Sequence, residues 1–328
     1  MIGVFEYVRA VDVAAAVALV SADPEAQYLA GGTTQVDLML KDRVLSPERL
    51  VDITRLPLRG ITRNGDTLVV GALTTMEELA AHPLLGARAA FVREALLAGA
   101  STQLRNMATI GGNVLQRTRC RYFRDPTVAA CNKRAPGSGC AAITGAARMH
   151  AILGASEHCI ALHASDLCVP LVALDAVVYV QGANGDRSIP LTEFYLVPGD
   201  RPDVENVLAH GELITAVEIP LLPAGSRSGY VKVRDRASYE FALSSAAVAL
   251  TIKHGRMTGA RLALGGVGTI PWRAHAAEAV LIGAGPSTAA FRDAAEAAIV
   301  DPFTVPGTAF KVELVKRTIV RTLQVVAT

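Results

Sequence analysis

The sequence has no long hydrophobic run, no block of like charge and no cysteine outside one short region. Each absence removes a class of function. The longest apolar stretch, 243–252, is far shorter than the roughly 20 residues that a bilayer-spanning helix needs. No membrane span is therefore expected. Lysine and arginine number 32 against 30 acidic residues, a net charge of +2, and no five basic residues stand together. That balance suits neither a nucleic-acid partner nor an anionic membrane surface. The N-terminal MIGVFEYVRA has no basic region followed by an apolar core, so the chain is expected to carry no secretory signal of its own. Five cysteines, an odd number in 328 residues, argue against a disulfide framework. There is no GxGxxG, no Walker lysine, no HExxH, no Ser-His-Asp grouping and no C-x4-C-x2-C. Their absence excludes Rossmann and P-loop nucleotide sites, zinc proteases, triad hydrolases and plant-type ferredoxins. No internal repeat or low-complexity segment occurs.

What is present is an ordinary globular composition, 51% hydrophobic and 19% charged, with length enough for two or three packed units. An Ala/Val-rich helix is predicted at 11–20, short strands at 27–30 and 50–53, and a hairpin over 61–70 turning at Asn64-Gly65-Asp66. Helices are predicted at 74–81, where Thr precedes an acidic first turn, and at 87–98. A second hairpin turns at Asn184-Gly185, between strands at 176–180 and 187–190. A strand at 214–219 ends at Pro220, and 222–226 reads as a linker. Beyond it come strands near 229–234, 246–254 and 257–264, then helices at 274–282, 288–299 and 310–325. Sheet then helices is the pattern of a separate α+β domain. The expected organisation is α+β, with one domain over 1–222 and a second over 227–328.

Two small-polar loops stand out. Leu29, Ala30, Gly31, Gly32, Thr33, Thr34, Gln35 and Val36 run from a strand towards a short helix. The glycines allow close backbone approach, and the amides and hydroxyls that follow can hold an anion such as a pyrophosphate. Alone, such glycines mark a tight strand–helix turn more often than a ligand site. A second loop, Ala108-Thr109-Ile110-Gly111-Gly112-Asn113, lies about eighty residues on. Together the two could grip one long, nucleotide-like ligand from both ends.

With AGGTT after a strand, RNMATIGGN, a Ser165-Asp166-Leu167 segment and a YVKVRDR strand in that order, the whole chain resembles the FAD-binding subunits of molybdenum hydroxylases. That family includes xanthine dehydrogenases, carbon monoxide dehydrogenases and bacterial aldehyde oxidoreductases. The resemblance implies a two-part FAD domain of the vanillyl-alcohol-oxidase type plus a C-terminal α+β domain. It implies that residues 29–36 wrap the pyrophosphate, that Thr109, Gly112 and Asn113 contact the nucleotide, and that Asp166 bonds a polar group of FAD. Lys232 would sit near the flavin ring, where a cation favours the reduced anionic form. By pattern alone Lys232 reads equally as a solvated strand lysine.

Between the Gly-Gly-Asn loop and the Ser-Asp segment lie about fifty residues rich in Arg, Gly, Pro and Cys, without a sustained period of 3.6 or 2. A structureless stretch this long needs something to hold it. Over 117–160 it carries Cys120, Cys131, Cys140 and Cys159 in the spacing C-x10-C-x8-C-x18-C. Four soft thiolates suit either zinc or an iron–sulfur cubane, and spacing does not choose between them. Ordinary structural cysteines, or disulfides in an oxidising compartment, are further readings. The chain is similar to the flavin subunits of bacterial periplasmic aldehyde oxidases, and that similarity implies a 4Fe–4S cluster on these four residues. Cys168 reads as a buried free thiol, with exchange for Cys159 as the alternative; His158 is an alternative ligand. Arg117, Arg119, Arg121, Arg124, Lys133 and Arg134 crowd the insertion. They would compensate a thiolate cluster, dock an acidic partner or face solvent.

The resemblance implies an electron-transfer flavoprotein that oxidises no organic substrate itself. It would work beside a molybdenum-cofactor subunit and a 2Fe–2S subunit, as a heterotrimer. No catalytic acid or base is identified; Tyr195, Tyr239 and Glu240 are merely available. Co-export with a signal-bearing partner would place the chain in the periplasm; otherwise it is cytoplasmic. Two readings compete: a self-contained flavin oxidase, and a zinc-stabilised, non-catalytic assembly module.

Overall fold

The computed structural model describes residues 5–328. Its N-terminal layer is a parallel sheet of β1 (Glu6–Arg9), β2 (Ala26–Leu29) and β3 (Arg49–Asp52), in the order β1-β3-β2. Helix α1 (Val13–Ser21) starts where the Asp12 carboxylate accepts the Ala15 amide at 2.7 Å. That bond satisfies one of the orphan donors of the first turn. Ala16, Val17 and Val20 of α1 pack with Val51 and Ile53 in a small core. The edge strand β1 is mostly exposed, so it has no apolar alternation by which the sequence could have announced it.

The second layer is a five-stranded antiparallel sheet in the order β4-β5-β8-β6-β7. It contains β4 (Ile61–Asn64), β5 (Thr67–Gly71), β6 (Val177–Gly182), β7 (Gly185–Pro190) and β8 (Leu213–Pro220). Both predicted hairpins form, with Gly65 at φ +58° and Gly185 at φ +105°. Between β5 and β6 come α2 (Met76–Ala80), α3 (Pro83–Arg88), α4 (Ala90–Ala98), α5 (Thr102–Arg105) and α6 (Ile110–Val114). Thr75 and Glu78 make a capping box at the start of α2, as the Thr-then-acidic pattern predicts. Chain 117–160 holds only two one-turn helices, α7 (Arg121–Arg124) and α8 (Ala141–Thr144). Then α9 (Cys168–Ala173) enters the main core, and α10 (Leu191–Phe194) follows β7.

The third unit is an antiparallel sheet in the order β12-β11-β10-β9. Its strands are β9 (Arg227–Val233), β10 (Ser244–Lys253), β11 (Arg256–Gly265) and the two-residue β12 (Trp272–Arg273). It is covered by α11 (His275–Leu281), α12 (Thr288–Ala297) and α13 (Phe310–Ala327). Along α13 the buried positions 311, 315, 318, 319, 322, 323 and 326 recur at helical spacing, which turns one largely apolar stripe onto the sheet. Burying each Val, Ile or Leu of that stripe contributes about 1.5–3 kcal/mol.

The third unit docks on the second through polar bonds that cross the linker. Arg88 Nε donates to the Leu222 carbonyl at 2.7 Å, and the Glu94 carboxylate accepts the Tyr230 amide at 2.6 Å. Arg273 Nη1 donates to the Val172 carbonyl at 2.7 Å.

Candidate cofactor cleft and cysteine cluster

Beyond β2 the chain cannot continue as strand, because it meets the segment leading into α6. A Cβ on Gly31 would lie 1.9 Å from the Met107 carbonyl oxygen, so only glycine allows this backbone contact. Gly32 follows at φ +70°, the left-handed region that glycine enters without penalty. The two small-polar loops read from the sequence are therefore neighbours. Among the described residues, no backbone hydrogen bond uses the N–H groups of residues 31–35. Five successive amides left without a protein acceptor suit an anion held at a turn.

Those amides border a cleft of about 860 Å³. Ala30, Gly31, Gly32, Thr33, Thr34 and Gln35 line it, together with Thr109, Gly112, Asn113, Asp166 and Lys232. Leu29 and Val36, at the ends of the span read from the sequence, approach the Cβ position of Gly32 with their side chains.

The Gly-Gly-Asn stretch is not a loop but α6. Thr109 caps it by accepting the Gly112 amide at 3.2 Å, and Gly111 packs on Ala72. Asn113 Oδ1 accepts the Ser165 hydroxyl at 2.5 Å, which ties α6 to the Ser-Asp segment.

Asp166 accepts the Tyr230 hydroxyl at 2.6 Å and pairs with Lys232 Nζ at 2.7 Å. The Lys232 side chain is only 5% exposed, so it is not a solvated strand lysine.

Arg119, read from the sequence only as one of the insertion's cations, also reaches the cleft. It lines the cleft, and its Nη2 donates to Thr34 Oγ1 at 3.2 Å. The guanidinium lies 5.1 Å over the Phe241 ring, and its buried Nε has no partner. Burial, with Arg124 close by, lowers Arg119 to about 10, which leaves it charged at neutral pH. Its part depends on a tertiary contact with Thr34 that spacing does not encode. Tyr239, at φ +52° and exposed, and Glu240 also line the cleft. Tyr195 lies outside it, with its hydroxyl donating to the Val114 carbonyl at 2.8 Å.

In the insertion, Cys120, Cys131, Cys140 and Cys159 all border one small void of about 10 Å³, with Phe123, Ala130, Ala141 and Ala142. Residues 131 and 140 form an antiparallel bridge, as do 156 and 159. All five cysteines are free thiols, so the disulfide reading fails. Cys168 is remote, buried in the main core with its Sγ 3.1 Å from the Tyr195 hydroxyl. His158 borders the void, but its ring pairs with Asp200 at 3.3 Å. No three or more His, Cys, Asp or Glu side chains among the described residues close on a single ion.

Most of the insertion's cations are consumed internally, which counts against a cationic docking face. Arg117 and Lys133 share Glu205, at 2.5 and 3.1 Å, and Arg124 pairs with Asp42 at 2.5 Å. Arg134 donates to the carbonyls of Tyr122, Phe123 and Val128.

Among the described residues no helix is long and apolar enough to cross a membrane. Residues 3–222 match the family described as FAD binding domain in molybdopterin dehydrogenase, and 229–326 match the CO dehydrogenase flavoprotein C-terminal domain. The chain is 46% identical over 260 residues to the aldehyde oxidoreductase FAD-binding subunit of Escherichia coli, covering 79% of this chain and 80% of the relative. It is 29% identical to the carbon monoxide dehydrogenase medium chain of Afipia carboxidovorans, covering 86% and 81%. In three dimensions it superimposes with a TM-score of 0.77 on a chain of the carbon monoxide dehydrogenase of Hydrogenophaga pseudoflava, at 28% identity and with 99% and 98% covered. The chain thus belongs to the family of FAD-binding flavoprotein subunits of the molybdopterin dehydrogenases.

Proposed function

We propose that this chain is the electron-transfer flavoprotein of a heterotrimeric aldehyde oxidoreductase. In this reading, partner subunits carry the molybdenum cofactor and 2Fe–2S centres. The observation that carries it is the row of free amides at residues 31–35, which line the cleft, in a chain 46% identical to an aldehyde oxidoreductase FAD-binding subunit. When bound, FAD takes electrons one at a time and can release them as a pair. The chain's own residues bind and orient it. The amides of 31–35 and the Arg119 guanidinium take the pyrophosphate, the start of α6 takes the nucleotide, and the Asp166–Lys232 pair fixes a polar group of the flavin. Co-export with a signal-bearing partner would carry the chain to the periplasm.

We further propose that Cys120, Cys131, Cys140 and Cys159 hold a 4Fe–4S cluster. Four thiols around one void in an insertion without regular structure support this reading. The void of about 10 Å³ must widen to admit either a zinc ion or a cluster.

Metal and flavin analysis of the purified complex tests both proposals. The expected result is one FAD and four iron per copy of this chain beyond the iron of the partners. Cys131→Ser is expected to lose that iron. FAD with zinc or with no metal would remove the cluster and keep the flavoprotein. Absence of both would overturn both.

A further inference from the structure

Two of the four thiols at the void face each other across a backbone bridge. The Asn132 amide donates to the Gly139 carbonyl at 2.7 Å, and the Ala141 amide donates to the Ala130 carbonyl at 3.0 Å. These bonds flank residues 131 and 140, which pair antiparallel with no backbone hydrogen bond between them. In such a position the Cα atoms stand about 4.5 Å apart and both side chains leave on the same face. Cys131 and Cys140 both border the void, so it lies on that shared face. A disulfide spans Cα separations of about 4.4–6.8 Å, so this pair needs little backbone movement to close.

The turn that carries the pair is held from within. The Cys131 amide donates to the Ser138 hydroxyl at 3.0 Å, and the Gly139 amide donates to Asn132 Oδ1 at 2.8 Å. The Arg134 amide donates to the Cys131 carbonyl at 3.0 Å. These bonds are internal to 131–139, so the register of 131 against 140 does not depend on the rest of the insertion. The other two thiols have different neighbours. Cys120 Sγ lies 3.2 Å from His150 Nε2, and Cys159 pairs across its own bridge with Ser156. Cys131 is 7% exposed, whereas Cys140 is half-buried and follows the exposed residues 135–138.

We propose that Cys131 and Cys140 form a thiol–disulfide site, closed by exchange with a low-molecular-weight disulfide when neither sulfur holds a metal. The resting state carries no disulfide, and its two thiols are the reduced form of the couple. The exposed edge of the turn gives the small disulfide its entry at Cys140. The Cys140 thiolate attacks one of its sulfurs, and the other sulfur leaves as a thiolate. The Cys131 thiolate then attacks the Cys140 sulfur of the mixed disulfide and expels the second small thiolate. Two protein thiols thereby lose two electrons and two protons, and one small disulfide becomes two thiols. The closed pair takes two of the four thiols away from any metal, so closure and metal uptake exclude each other. The pairing stands whether the metal is the cluster proposed above, zinc or none.

Peptide mapping of the intact complex tests this. The complex is stripped of metal with a chelator under nitrogen, exposed to oxidised glutathione, alkylated, and digested with trypsin, which cuts after Arg124, Lys133, Arg134 and Arg148. The expected product is peptide 125–133 joined to peptide 135–148, lighter by two hydrogens than their sum, with neither Cys131 nor Cys140 alkylated. A comparison in denaturant separates the bridge from chance. Pairings 120–131 and 131–140 close loops of ten and eight intervening residues, so the unfolded chain should form both in similar amounts. In the folded complex 131–140 should dominate. Similar amounts of the two pairings in the folded complex, or full alkylation of both Cys131 and Cys140, overturn the inference. So does glutathione retained on Cys140 while Cys131 is intact, because the bridge would then not bring the second sulfur within reach. A complex that holds no metal at these thiols is mapped without the chelator, and the same products decide.

Discussion

Gly31 concentrates two demands at one residue: backbone contact with the Met107 carbonyl and a place in the lining of the cleft. Gly31→Ala places a methyl group 1.9 Å from that oxygen, so the two loops must separate. The variant should purify with most of its FAD lost and with stability lower by about 1–3 kcal/mol. The ratio of flavin to protein absorbance reads the first effect and denaturant unfolding the second; a fully yellow variant would count against the loop as the pyrophosphate site. Asp166 poses a different demand. Asp166→Asn leaves Lys232 as a buried cation without its counter-charge, which costs about 3–5 kcal/mol. Restoring neutrality with a second change, Lys232→Met, should recover part of that loss in a double-mutant cycle. No coupling between the two sites would mean that the pair does not act as a unit.

At the scale of elements, α13 carries a titration that its amphipathic pattern hides. Lys311 is completely buried and donates to two backbone carbonyls. Burial, with a smaller contribution from Arg148, lowers it to about 7 from its ordinary 10.5. Between these values the unfolded chain keeps a proton that the folded chain has released. Stability should therefore rise with pH over that window, by up to about 1.4 kcal/mol per unit, while below pH 7 the full burial penalty applies. Lys311→Met should flatten that rise; parallel pH profiles of the two proteins by denaturant unfolding would refute it. The sequence showed α13 because apolar residues recur at helical spacing, and both hairpins because Asn-Gly names its own turn. It did not show β1, which is mostly exposed, or α6. Gly111 and Gly112 are poor helix formers, and α6 exists because Thr109 caps it and Ala72 receives it. The loop motifs of the cleft were legible because backbone approach demands glycine. Arg119 and His150 were not, since each acquires its place only when distant segments meet.

In the whole molecule the two proposed centres are separated by very little chain. Arg119 lines the FAD cleft, and the next residue, Cys120, borders the void of the four thiols. Ion pairs to Glu205 and Asp42 and the seating of Ile152 and Leu153 in the third unit's core tie the insertion to the rest of the chain. Its own apolar clusters are small, with three buried residues (Ala142, Ala147, Ile160) in one and two (Phe123, Cys131) in the other, against the extended cores under the second and third sheets. Loss of a cluster should therefore loosen 117–160 first and leave the three sheets intact, because local stability follows local burial. It should also weaken FAD, by releasing the Arg119 guanidinium from Thr34. Anaerobic removal of iron with a chelator is thus expected to open protease sites within 117–160 before any other segment. Flavin should be shed in proportion to the iron lost, at unchanged content of regular structure. Iron-free protein that resists cleavage and retains all its flavin would show that the insertion folds on its own packing, and that the cleft and the cysteines are independent neighbours.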